Sequence, residues 1–87
     1  MAWMYPPEFL EALAALGLSP SPETPPAFTR DALDDLYRYE LRRLRDRHRA
    51  GAVERSGYTA MVVTLRKKYW LLTLPLPAWE KICREGK

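Results

Sequence analysis

Between Thr29 and Gly51 the chain carries a start signal, one apolar stripe, a charge gradient and a stop signal, and all four specify a single long helix. Thr29 is a candidate N-cap, and Asp31, Asp34 and Asp35 occupy the early turns, where the helix dipole favours anions. Arg43, Arg45, Arg47 and Arg49 crowd the end before Gly51. At about 1.5 Å per residue such a helix is roughly 30 Å long, enough to scaffold a small domain. Leu33, Tyr37, Leu41 and Leu44 recur on one side, with Leu36 at the margin and His48 near the far end. Glu40 falls inside the stripe, which predicts a boundary ion pair with Arg43 or Arg47.

The flanks supply shorter elements. Pro6 to Gly17 predicts a first helix, with prolines at the permissive opening positions, Phe9, Leu10, Leu13 and Leu16 on one face, and Gly17 as its stop. Ser19 to Pro26 is a stiff connector, because its prolines remove donors and keep preceding residues extended. Tyr58, Met61, Val62, Leu65, Tyr69 and Leu72 then recur at helical spacing and predict a third helix over about 58–72. The β-branched Thr59, Val62, Val63 and Thr64 favour a β-hairpin instead. That hairpin would have to turn through Arg66-Lys67-Lys68, which offers no Gly, Asn or Asp for a positive φ. Leu74-Pro75-Leu76-Pro77 ends the helix, and Ala78 to Arg84 forms a last one with Trp79 and Ile82 inward. The expected fold is all-α: one domain, residues 1–87, in which an antiparallel helical hairpin (about 30–50 and 58–72) is covered by short terminal helices.

Composition narrows the setting. The lone Cys83 excludes an internal disulfide and fits a reducing cytosol. The N-terminus lacks a signal-peptide pattern, and no stretch approaches the ~20 apolar residues of a membrane span, so a cytoplasmic location is expected. Asparagine and glutamine are both absent, eight residues are proline, and ten arginines stand against four lysines. That balance suggests a thermophile, although a GC-rich genome also favours it.

Catalytic parts are scarce. His48 is the only histidine and Cys83 the only cysteine, so neither a nucleophile–base pair nor a three-ligand metal site can be assembled from the usual residues. Gly17, Gly51, Gly57 and Gly86 are isolated and form no phosphate loop. No enzyme activity, cofactor, metal or small-molecule substrate is therefore expected.

Two binding readings remain. Residues 1–29 carry three acids and no base, whereas residues 56–87 carry six bases and two acids. Arg42, Arg45 and Arg49 on the second helix, with Lys67 and Lys68 on the third, could meet phosphates while Tyr69 and Trp70 offer stacking faces. Asp34, Asp35, Glu40 and Asp46 lie three or four residues from arginines, however, and can neutralise them as Asp34–Arg38, Asp35–Arg38, Glu40–Arg43 and Arg42–Asp46 pairs. The other reading starts from Val63 and Trp70, seven residues apart, which form a second apolar strip on the predicted third helix. Three Trp, five Tyr and two Phe are hard to bury in one small core. The leading expectation is accordingly a non-enzymatic protein-interaction or self-associating module, a homodimer through Val63 and Trp70, with weak electrostatic nucleic-acid binding as the alternative.

Overall fold

A computed structural model describes residues 2–85 and contains four α-helices, α1 (Pro7–Ala14), α2 (Pro26–Arg49), α3 (Arg55–Lys68) and α4 (Leu76–Glu85), with a 3-10 turn at Trp70–Thr73. Gly86 lies outside the described residues. The all-α bundle built on a helical hairpin is the architecture observed, with α2 packed against both α3 and α4. Pairings between Glu40 and Lys68 at one end and His48 and Tyr58 at the other make α2 and α3 antiparallel.

Glycine ends two of the helices. Gly51 takes φ +81°, and the amides of Gly51 and Ala52 donate back to the carbonyls of His48 and Arg47, satisfying acceptors the helix leaves open. Gly17, at φ +83°, does the same after α1 through the Ala14 and Leu13 carbonyls.

The start of α2 differs from expectation. Pro25 is the extended residue before the helix and Pro26 its first helical residue, where the missing N–H costs nothing. Thr29 is therefore no N-cap; it lies inside the first turn, buried, with its hydroxyl 2.9 Å from the Tyr5 phenol. The Tyr5 hydroxyl donates to the Thr24 carbonyl at 2.7 Å, which leaves Thr29 to donate to the phenol oxygen.

The third helix stops four residues early. Pro75 and Pro77 offer no N–H to the Leu71 and Thr73 carbonyls, so the helix cannot run on into α4. The chain instead leaves the helix at Tyr69 (φ −105°, ψ 36°) and tightens into the 3-10 turn. The Leu71 carbonyl is taken by the Trp79 indole at 3.0 Å, and Arg30 donates to the Leu72 and Leu74 carbonyls at 3.2 and 3.0 Å.

These contacts concentrate the core at one end. Tyr5, Phe9, Leu13, Leu33, Leu65, Tyr69, Leu71, Trp79 and Cys83 form one buried cluster. Trp79 and Ile82 face it as expected, whereas Leu10 of α1 points to solvent. The rest of the hairpin projects as an arm in which Leu44 and Val53 are the buried apolar residues. The molecule consequently measures 49 × 20 × 16 Å, and its radius of gyration is 15.1 Å. A compact chain of this length would have a radius of about 12 Å.

Candidate interaction surface of the hairpin arm

Residues 41–68 hold nine lysines and arginines against two acids, while residues 1–40 hold seven acids against two arginines. The arm is thus a basic projection from an acidic head. Arg42, Arg43, Arg45, Arg47 and Arg49 extend from the second half of α2 and are all exposed. Arg38–Asp34, at 2.9 Å, is the one anticipated pair that forms. Among the described residues those five arginines make no ion pair, so the expected neutralisation by Asp35, Glu40 and Asp46 is not what the side chains adopt.

Glu40 has different partners from those predicted. Lys68 donates to both of its oxygens, at 3.3 and 3.4 Å, and the Tyr69 hydroxyl donates to Oε2. Arg43 and Arg47 do not hold it, because the end of α3 brings a cation and a phenol directly across the hairpin. Arg43 lies over the Tyr39 ring instead, at 5.8 Å. Burial first, then the hydrogen bond and negative charge of Glu40, push the Tyr69 phenol well above its ordinary pKa.

Between α2 and α3 lies an open groove of about 500 Å³. Its floor includes Leu44, Met61 and Leu65, and its rim carries Arg43, Arg47 and Lys68. Met61, expected in the buried stripe, is exposed here. The far end of the arm is closed by His48, which stacks on Tyr58 with ring centroids 4.5 Å apart and places Nδ1 2.9 Å from the Val53 carbonyl.

Val63 and Trp70 are both partly exposed, at 45% and 41%. The helical strip that was to join them is broken, since Trp70 belongs to the 3-10 turn and sets its ring edge-on to Phe9 at 6.2 Å. Lys67 is exposed beside the Glu40-bound Lys68. Two aromatics are more exposed still, Phe28 at 69% and Tyr39 at 55%. Their signal was present, because Phe28, Ala32, Leu36 and Tyr39 recur every three or four residues on a face of α2 distinct from the core stripe.

Cys83 is fully buried, and burial raises its thiol pKa, which disfavours the nucleophilic thiolate. Among the described residues no group of three or more His, Cys, Asp or Glu could hold a metal ion, and no helix is long and apolar enough to cross a membrane. Comparison with family models, with curated proteins and with solved structures finds no match.

Proposed function

We propose that this chain is a non-enzymatic interaction module that binds a protein partner, including a second copy of itself, through the hairpin arm and the outer face of α2. The observation that carries the reading is the combination, along one helix, of large exposed aromatics on the outer face of α2 and exposed arginines without ion-pair partners where α2 runs into the arm. Arginine and aromatic side chains are the types that dominate protein interfaces, whereas a purely solvated face of α2 needs neither Phe28 nor Tyr39 at its surface. An intracellular location and a warm habitat accompany this reading, from the lone cysteine and the absence of Asn and Gln.

Nucleic-acid binding is the second reading, favoured by the same unpaired arginines together with Arg66 and Lys67. Size-exclusion chromatography with light scattering, at low salt and with or without mixed nucleic acid, separates the two. A protein complex in the absence of nucleic acid supports the first. A salt-sensitive nucleic-acid complex whose salt slope falls by about one when Lys67 is replaced supports the second.

A further inference from the structure

We infer that two copies pair antiparallel along the outer face of α2, an inference that rests on the interaction-module reading and names its partner. Phe28, Ala32, Leu36 and Tyr39 make a seam on that face, with Phe28 and Tyr39 more than half exposed and Leu36 touching the core by one side only. Asp31 and Asp35 flank the first half of the seam, and both are exposed and without an ion pair among the described residues. Arg42, Arg43 and Arg47 flank the second half in the same condition. Arg30 cannot neutralise the acids, because its guanidinium is committed to the Leu72 and Leu74 carbonyls.

A helix charged this way complements itself only when reversed. In parallel, Asp31 and Asp35 would face their own copies, as would the arginines. Antiparallel, with the two-fold axis beside Tyr37 and Arg38, Leu36 meets the second copy's Tyr39, and Asp31 and Asp35 face its Arg42 and Arg43. Phe28 then arrives at the second copy's Arg43 and Arg47, at the mouth of the groove floored by Leu44, Met61 and Leu65. There its ring covers apolar surface under guanidinium groups, a favourable aromatic–cation arrangement. Such a pairing is isologous, each contact occurring twice, and leaves both arms projecting at opposite ends.

Sedimentation across a wide concentration range should show a dimer that weakens with salt. Asp31→Arg with Asp35→Arg should weaken association about tenfold or more, and adding Arg42→Asp with Arg43→Asp on the same chain should restore it. All four positions are exposed, so helical circular dichroism should be unchanged, and it reports any variant that fails to fold. Spin labels at Arg49→Cys should lie about 35 Å apart across an antiparallel pair and close together in a parallel one. A monomer at every concentration overturns the inference; if that monomer binds another protein, the module reading stands without it. A dimer that ignores the charge reversal but dissociates with Trp70→Glu also overturns it and restores the Val63–Trp70 face as the interface.

Discussion

Around Trp79, the N-terminal segment, α1, α2, the 3-10 turn and α4 converge; around Leu44 only the two hairpin helices meet. Trp79 is fully buried, packs edge-on against Phe9 with centroids 5.1 Å apart and donates its indole N–H to the Leu71 carbonyl. The N-terminal segment is tied into the same region, through the Trp3 amide to the Pro22 carbonyl and the Met4 amide to the Cys83 carbonyl. At the arm, Leu44 closes one side of an open groove and Val53 sits under the turn. Stability is thus invested in the head, and the arm is free to carry exposed arginines that a core would reject. Regions of few buried contacts are the ones that open first and that binding surfaces are drawn from.

The sharpest way to break this contrast is to truncate one residue from each region. Trp79→Ala removes the centre of the core and one end of a buried hydrogen bond, and should cost about 3–5 kcal/mol in chemical denaturation. Leu44→Ala, at a site already bordered by solvent, should cost about 2 kcal/mol or less. Equal losses would show that arm and head are one cooperative unit. Native-state hydrogen exchange sharpens the same point: amides of residues 44–64 should exchange through local opening, and those around Leu33 and Trp79 only with global unfolding.

The head was only partly legible in the sequence, and the arm largely so. Helical period and Gly51 define α2 and its turn because those signals are local. The start of α2 at Pro26 was masked by treating all the prolines before Thr29 as connector, although proline is well suited to a first turn. The prolines at 75 and 77 bound α3 in the sequence, but its earlier end at Lys68, where the chain tightens into the 3-10 turn, carries no local signal. The partners of Glu40 were beyond local reading altogether, since spacing along one helix nominates Arg43 and Arg47 while the fold delivers Lys68 and Tyr69 from another. The same limit applies to the unpaired arginines, whose freedom is decided by side-chain geometry and not by the presence of acids nearby in sequence.

Head and arm meet at Glu40 and Tyr69, and pH tests that joint. Tyr69 has its folded pKa raised by burial and by Glu40, and Tyr5 has its own raised by burial. Below the unfolded value of about 10 both states keep these protons, so the two phenols leave stability unchanged there. Above it the unfolded chain ionises first, and stability falls progressively until the folded pKa is passed. Tyr69→Phe should remove part of this alkaline loss while costing about 1 kcal/mol at neutral pH, from the bond to Glu40. Melting curves at neutral and alkaline pH measure both effects; an unchanged alkaline slope in Tyr69→Phe would assign the loss to Tyr5 and to the buried Cys83 thiol, whose pKa is raised likewise.

The smallest expected effects lie at Gly51 in the arm's turn and Gly57 in the first turn of α3, and they carry opposite signs. Gly51 holds φ +81°, and a Cβ there would meet nothing within 4 Å, so Gly51→Ala is penalised by backbone conformation alone. The expected cost is about 1 kcal/mol. Gly57 lies within α3 at an ordinary helical φ, and a Cβ would rest 3.6 Å from Val53 Cγ1, an ordinary contact. Gly57→Ala should therefore stabilise, by about 0.5–1 kcal/mol, through helix propensity and reduced freedom of the unfolded chain. If the arm opens independently, both changes should appear mainly in the exchange rates of amides in residues 44–64, with little movement of the global melting temperature. Full transmission of both to the global transition would mean that α2 carries arm and head through unfolding together, and the packed end would then protect the binding surface as well as itself.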